Sequence, residues 1–147
     1  MDYNDFKVKQ AAEVVQSFMM ISKTLAKYTQ QNAERLGLTL QQLGVLNTIY
    51  SSPLITHKQI TEKLLIPKST ASVSVEELVN LGLVERKSSE EDRREINLIL
   101  TDKGKEISKK SIQTSMSYMA MISALEKIST NDIDTLLRIH KELSKFL

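Results

Sequence analysis

A lysine and several small hydroxyl side chains follow Pro67, and they are the groups in this sequence best suited to bind a polyanion. Lys68, Ser69 and Ser72 are predicted to lie on the same outward side of a short helix. An ammonium group can neutralise a phosphate, and short hydroxyl side chains let a helix backbone approach closely enough for contacts with base edges. The same residue types also occur at the start of purely structural helices, so on their own they leave DNA contact and helix capping as alternatives.

The helix that carries these side chains is predicted to start at Pro67 and to stop before Gly82. Proline fits the first helical position because its missing N–H would be unpaired there, and glycine is common just beyond a helix end. The positions expected to face inward are Ala71, Val75, Leu78 and Val79. The positions expected to face outward are Lys68, Ser69, Ser72, Val73 and Glu76. Just before this helix, Thr56 and Gln59 form the pattern of a capping box that opens another short helix, so the pair predicts a helix-turn-helix.

A polar hairpin is predicted directly after the second of these helices. Its strands are expected at residues 83–87 and 95–100, and alternation places one apolar face on Ile96, Leu98 and Leu100. The connecting loop carries Arg93 and Arg94. A charged loop is commonly only a solvated turn, but arginines at a hairpin tip beside a helix-turn-helix are well placed to enter a minor groove. This order of elements predicts a winged helix-turn-helix, a shape that suits double-stranded DNA.

Long apolar stripes flank this central region on both sides. The first segment predicts a helix of roughly 30 residues that ends near Leu36, which is long for a small globular protein. The C-terminal pattern predicts one helix running from Ile107 through Ile122 and another after Ser129. Because one small core cannot bury all of these stripes, a second copy of the chain is expected to cover them at Val8, Val15, Ile133, Leu136, Leu143 and Phe146. A coiled coil or a partner-binding tail is the alternative explanation.

Length and composition limit the remaining possibilities. The 147 residues fit one domain, with 38–101 predicted as a DNA-binding lobe and with 1–36 and 105–147 as dimerisation helices. The chain is 41% hydrophobic and has four Gly and two Pro, so we expect a mainly α fold with a small β-hairpin. The absence of cysteine excludes disulfides and thiol chemistry, and the lack of a long apolar run predicts a cytoplasmic protein without a membrane partner. The formal net charge of +2 is too small to identify a nucleic-acid partner by itself.

An enzymatic function is not expected. His57 and His140 are the only histidines, they are far apart in the sequence, and they belong to no metal-binding motif. The sequence also has no Gly-x-Ser-x-Gly nucleophile motif and no glycine-rich phosphate loop. We therefore predict no catalytic residues, no metal site and no cofactor.

Several motifs resemble those of the MarR family of bacterial transcriptional regulators. They are Leu-Ile-Pro-Lys-Ser-Thr-Ala-Ser at 65–72, Leu78, Gly-Leu-Val at 82–84, Asp-Arg-Arg at 92–94 and Leu-Thr-Asp-Lys-Gly at 100–104. The predicted order of helices and hairpin also resembles the family over essentially the whole chain. The resemblance implies a homodimer that places one recognition helix in each of two successive major grooves of a pseudo-palindromic operator. It also implies repression or activation that is relieved by a small ligand.

The residues predicted to contact DNA are His57, Lys58, Lys68, Ser69, Thr70, Ser72, Val73, Lys87, Arg93 and Arg94. Val73 departs from the family pattern, since many members have arginine or another polar residue there, and it leaves at most an apolar contact with a thymine methyl group. Glu90 and Glu91 also depart, because members often have a more basic or a proline-containing turn. These two acids would oppose phosphates unless nearby basic residues neutralise them.

Five of the six methionines lie on the helices that flank the effector pocket in many members of the family, and four of them are the predicted pocket residues: Met19, Met20, Met116 and Met119. Flexible thioethers would suit a variable apolar ligand, although methionine in a helix more often simply fills a core. The function predicted is a sequence-specific DNA-binding transcriptional regulator, a repressor released by a small-molecule effector. The alternative is a winged-helix module that binds another protein through the same surface.

Overall fold

The chain folds into a set of helices around one small antiparallel sheet. The computed structural model describes residues 5–88 and 96–147, and over these ranges it contains seven helices and three strands. The helices are α1 (Phe6–Arg35), α2 (Leu40–Ser51), α3 (His57–Leu64), α4 (Lys68–Asn80), α5 (Asp102–Gln113), α6 (Met116–Leu125) and α7 (Thr130–Leu143). The strands are β1 (Ile55–Thr56), β2 (Val84–Ser88) and β3 (Ile96–Leu100). The predicted fold class, mainly α with a small β-hairpin, is confirmed.

Capping residues explain where the helices of the central region begin and end. The hydroxyl groups of Thr39 and Thr56 each accept a hydrogen bond from the backbone N–H three residues on, and both helices have a complete capping box. Gly37 and Gly82 follow α1 and α4 with φ angles of 71° and 69°, a left-handed conformation that glycine adopts without a steric penalty. After Gly82, the backbone N–H of Leu83 donates to the carbonyl oxygen of Leu78 over 2.9 Å, which closes the helix end.

The main hydrophobic core lies in the central region. Its buried residues are Ala33, Leu38, Leu43, Val45, Leu46, Ile49, Ile55, Ile60, Ala71, Val75, Leu78, Leu83, Val84, Leu98 and Leu100. All of these except Ala33 fall between residues 38 and 101. On α4, Ala71, Val75 and Leu78 face inward as predicted, whereas Val79 is only half-buried and Ser74 takes a buried position that the pattern did not predict. This core holds α3 and α4 in place against the sheet.

The wing is an antiparallel pair of strands, with a third strand that the sequence pattern did not predict. β2 pairs with β3 from Val84 opposite Leu100 to Ser88 opposite Ile96, and the sheet order is β1-β3-β2. β1 has only two residues, too few for a period-two pattern, and it pairs through Ile55 opposite Leu98. Residues 89–95 lie outside the described residues, and with them the predicted contacts Arg93 and Arg94 as well as Glu90 and Glu91.

Three details of the predicted elements are wrong. Pro67 lies at the N-cap of α4 and not at its first helical position. The helix predicted from Ile107 through Ile122 is broken after α5, since the side chain of Ser115 accepts a hydrogen bond from Tyr118 N–H and starts α6 there. Ile96 was assigned to the apolar face with Leu98 and Leu100, but it is 47% exposed at the outer end of β3.

α1, α6 and α7 expose many large apolar side chains. α6 packs along α1. Among the predicted dimer-interface residues, Val15, Leu136 and Phe146 are exposed, and Val8, Ile133 and Leu143 are half-buried. None of the helices in the described part of the chain has both the length and the apolar character needed to cross a membrane.

Candidate nucleic-acid interface

A groove of about 540 Å³ lies where the N-terminal ends of α3 and α4 meet the outer end of β3. The residues that line it are Thr56, His57, Lys58, Thr61, Lys68, Ser72 and Ile96. Four of the ten predicted DNA contacts are therefore brought to one place, although they come from two helices. The groove has two ammonium groups and several hydroxyl groups, and the N-terminal ends of two helices lie beside it, where the helix dipole favours anions.

The outward side of α4 continues from this groove. Ser69 and Val73 are exposed, Val73 to 57%, while Thr70 and Ser72 are half-buried. The exposed valine stands between hydroxyl side chains and gives the helix a small apolar spot suited to a thymine methyl group. Apart from Lys68 at its start, this side of the helix carries no long side chain until Glu76, so its backbone can approach another surface closely.

Arg86 ties the wing to α4. Its guanidinium Nη2 lies 2.5 Å from Oε2 of Glu76, which is on the outward side of α4. Alternation along β2 explains this position, because Arg86 is two residues from the buried Val84 and pairs with the buried Leu98. Lys87 is exposed on the opposite face of β2. Arg86 and Lys87 therefore lie on different sides of the wing.

The environment of the groove shifts the pKa of His57. Burial lowers the pKa of this imidazole below its ordinary value, and the nearby positive charges of Arg86 and Lys68 lower it further. Its Nδ1 atom is buried and has no hydrogen-bond partner among the described residues. His57 is therefore a neutral side chain at neutral pH.

Sequence reasoning missed Arg86 and Thr61 as members of this surface. Arg86 could have been found from strand alternation, since it shares a face with Val84, which belongs to the core. Thr61 is four residues after His57, so both lie on one face of α3. Lys58 was predicted, and it also lies near Glu62, with Nζ and Oε1 separated by 3.9 Å at a highly exposed site. Such a pair is readily broken and leaves Lys58 available to a phosphate.

A second cavity, of about 640 Å³, lies along α1 and is lined by Lys23, Thr24, Ala26, Lys27, Tyr28, Gln30 and Gln31. Met19, Met20 and Met119 are exposed and Met116 is half-buried, and they line neither of the two cavities. The methionine effector pocket stays a prediction. Over 5–88 and 96–147, the His, Asp and Glu side chains form no group of three or more that could hold a metal ion.

The helix pair, the adjoining strand and the wing together form a single basic and hydroxyl-rich surface, which is the architecture of a winged helix-turn-helix DNA-binding protein. The sequence model of the MarR family matches residues 36–95. The multiple antibiotic-resistance repressor (MarR) of Listeria monocytogenes is 34% identical, with 97% of each chain covered and a TM-score of 0.66. The chain belongs to the MarR family of transcriptional regulators, as its sequence motifs suggested.

Other relatives agree with this assignment. The organic hydroperoxide resistance transcriptional regulator of Bacillus subtilis is 26% identical over 115 residues, which is 78% of this chain and 76% of the relative. A mutant of Escherichia coli MarR, solved in complex with operator DNA, is 19% identical, covers 95% of this chain and 98% of its own, and has a TM-score of 0.77. At that identity the second comparison shows a shared fold. The relatives are transcriptional regulators and not enzymes.

Proposed function

We propose that this protein is a homodimeric transcriptional repressor that binds a pseudo-palindromic double-stranded DNA operator and releases it when a small molecule binds. The observation that carries the proposal is the groove between α3 and α4, where Lys58, Lys68, His57 and Ser72 converge. Phosphates require positive charge and N–H donors, and base edges require short polar side chains, so one surface offers both kinds of contact. The E. coli relative with this fold is bound to operator DNA, which supports the same partner here.

In this proposal α4 is the recognition helix and enters the major groove. Ser69 and Ser72 would donate or accept hydrogen bonds at base edges, and Val73 would contact a thymine methyl group. Lys58 and Lys68 would contact phosphates and fix the position of the helix. Lys87, Arg93 and Arg94 remain the predicted contacts of the wing.

Dimerisation is proposed from the exposed apolar side chains of α1, α6 and α7. Val15 on α1 is 54% exposed, Leu136 on α7 is 45% exposed and Phe146, just after α7, is 82% exposed in the single chain. A two-fold pair of these helices would bury the stripes and present two recognition helices. A two-fold dimer requires two half-sites about 10 base pairs apart or at a multiple of that distance.

Repression is supported by the Listeria relative, which is named a repressor. An effector that shifts the dimer between two arrangements would release DNA only if it binds one arrangement more tightly than the other. The chain contains no cysteine, so such an effector acts without thiol chemistry. A cytoplasmic location follows from a chromosomal DNA partner.

The proposal is tested by selecting bound sequences from a random duplex pool and then measuring affinity against salt concentration. We expect two related half-sites and a steep fall of log affinity with log salt, with a slope of about 0.9 per phosphate contacted. Lys68→Gln should weaken binding to all duplexes and reduce the slope by about 1, whereas Ser72→Ala should mainly change sequence preference.

Lys127→Gln is the matched control, because Lys127 is an exposed lysine between α6 and α7, far along the chain from the groove. It should leave affinity and slope unchanged. A chain that binds no duplex, or whose affinity does not depend on salt, would instead support the alternative function, in which the same surface binds another protein. A monomer at micromolar concentration in gel filtration would contradict the dimer.

A further inference from the structure

Two asparagines, one buried and one half-buried, connect the central region to the helices around it through α5. Asn32 lies near the end of α1, and its Nδ2 donates a hydrogen bond of 2.9 Å to the carbonyl oxygen of Ser111. Asn47 lies in α2, and its Oδ1 accepts hydrogen bonds from the hydroxyl groups of Ser108 at 2.7 Å and Ser111 at 3.0 Å. α5 is thereby joined on one side to α1 and on the other side to α2.

Three of the side chains in this joint are buried. Asn32 is 4% exposed, Ser108 0% and Ser111 2%, and Asn47 is half-buried. Thr114 adds a further contact, since its hydroxyl group lies 3.3 Å from Oδ1 of Asn32. Leaving a buried polar group without its hydrogen-bond partner destabilises the folded protein. The hydrogen bonds of these side chains therefore require α5 to keep its present position.

α5 has small residues on the side that faces this joint. Ser108 and Ser111 are four and seven residues after Gly104, so all three lie on one face of the helix. At Gly104 an added Cβ would lie 2.1 Å from the carbonyl oxygen of Leu83. The helix therefore lies directly against the backbone at the start of the wing.

We infer that Asn47 is a positioning residue, whose hydrogen bonds with α5 hold the DNA-binding lobe, residues 38–101, at one angle to the dimerisation helices, and that Asn32 fixes α5 to α1. This angle sets the distance between the two recognition helices of the dimer and hence the half-site spacing that it selects. Hydrogen bonds suit this task because they are directional, whereas an apolar contact of the same area would tolerate several angles. The inference rests on the proposed function, because it needs a dimer that binds two half-sites.

The absence of cysteine makes a direct test practical. Val73→Cys places one spin label on each α4, and pulsed electron paramagnetic resonance then measures the distance between the two labels in the dimer without DNA. The test variant adds Ser108→Ala and Ser111→Ala, which remove both donors to Asn47 and suit a helix at least as well as serine. Asn47→Asp is the conservative variant, because a carboxylate keeps an acceptor oxygen. Ser51→Ala is the matched control, since the hydroxyl of Ser51 bonds only to Thr48 in its own helix.

We expect one narrow distance distribution for the wild-type background, for Ser51→Ala and for Asn47→Asp, and a broad one for the double alanine variant. Duplex binding is measured with unlabelled chains that keep Val73. On duplexes whose half-site separation changes by single base pairs, the preference of the double alanine variant for its best spacing should fall by about tenfold. Thermal unfolding of all variants should stay cooperative, which shows that each one is folded.

An equally narrow distribution in the double variant, or a broad one in Asn47→Asp, would overturn the inference. A monomer would overturn it together with the proposed dimer. If the unlabelled chain, which keeps Val73, forms a dimer but binds no duplex, the proposed DNA function fails, while the distances between the labels still decide whether the joint holds the lobe.

Discussion

The guanidinium group of Arg86 on β2 lies 2.5 Å from the carboxylate of Glu76 on α4, and this ion pair connects the wing to the proposed recognition helix. Both side chains are partly exposed, at 38% for Arg86 and 55% for Glu76, so water screens the pair and its contribution to stability is small. The main effect of this ion pair is on the charge of the surface proposed to face DNA. Without Arg86, the outward side of α4 would present an unneutralised carboxylate to the phosphates of DNA.

Arg86→Gln should therefore weaken duplex binding by about tenfold at moderate salt concentration, with the same factor for different sequences. The variant removes a positive charge near the phosphates and leaves the negative charge of Glu76 unpaired. Its unfolding free energy should change by less than about 1 kcal/mol, because the pair is on the surface. Fluorescence anisotropy at several salt concentrations and denaturant unfolding measure the two quantities.

The double variant Arg86→Gln with Glu76→Gln separates the two causes. Removing both charges should restore part of the lost affinity, because the unpaired carboxylate of Glu76 is then gone. If the double variant binds as weakly as Arg86→Gln alone, then Glu76 does not face the DNA and the proposed position of α4 is wrong.

The stability of the fold should depend on pH through His57. Its pKa is lowered in the folded chain by burial and then by Arg86 and Lys68, so the unfolded chain binds a proton more readily than the folded one. The contribution of neutral His57 is fully present above its ordinary pKa of about 6.5, and it is lost as the pH falls through that value toward the folded pKa. His57→Gln should lose less stability than the wild type between pH 7.5 and 5.5, as measured by urea unfolding.

Arg86→Gln provides a second measure of the same effect. It removes one of the two positive charges that repel a protonated His57, so its loss of stability with falling pH should be intermediate between the wild type and His57→Gln. An identical pH dependence in all three proteins would show that protonation of His57 is not coupled to folding.

Local sequence patterns predicted the elements of this protein well, and tertiary contacts were harder to predict. Thr56 with Gln59 and the glycine at 82 act within a few residues, so their effects on helix ends could be inferred without the fold. The break between α5 and α6 was missed because the apolar spacing continues across Ser115, and a helical period does not show a cap inside it.

The candidate site was predicted in part for the same reason. Lys68 and Ser72 follow from the outward face of one helix, whereas the pairing of Arg86 with Glu76 requires β2 to lie beside α4. The joint at Asn32 and Asn47 was not predicted at all. Its partners are 79 and 61 residues away in the sequence, and polar residues inside helical stripes are ordinarily taken as exposed.

Gly104→Ala should destabilise the protein by roughly 2–4 kcal/mol, because the new Cβ would overlap the carbonyl oxygen of Leu83 at 2.1 Å and backbone would have to move. Gly44→Ala is the matched control. It lies in α2, and its Cβ would meet only the side chain of Leu64 at 4.0 Å, so alanine should stabilise the helix by up to about 1 kcal/mol. Denaturant unfolding of both variants measures the difference, and equal effects would contradict the close approach of α5 to Leu83.

The turn between α3 and α4 should become more stable when Leu65 is replaced by asparagine. Leu65 has a φ angle of 53°, a left-handed conformation that costs an ordinary residue about 1–2 kcal/mol and that asparagine tolerates better. Its side chain is 90% exposed, so the substitution loses little apolar burial. We expect Leu65→Asn to gain about 0.5–1 kcal/mol and Leu65→Val to lose stability, because β-branched residues are the least tolerant of positive φ. Thermal unfolding gives the order, and a valine variant as stable as the asparagine variant would show that this turn does not need the left-handed conformation.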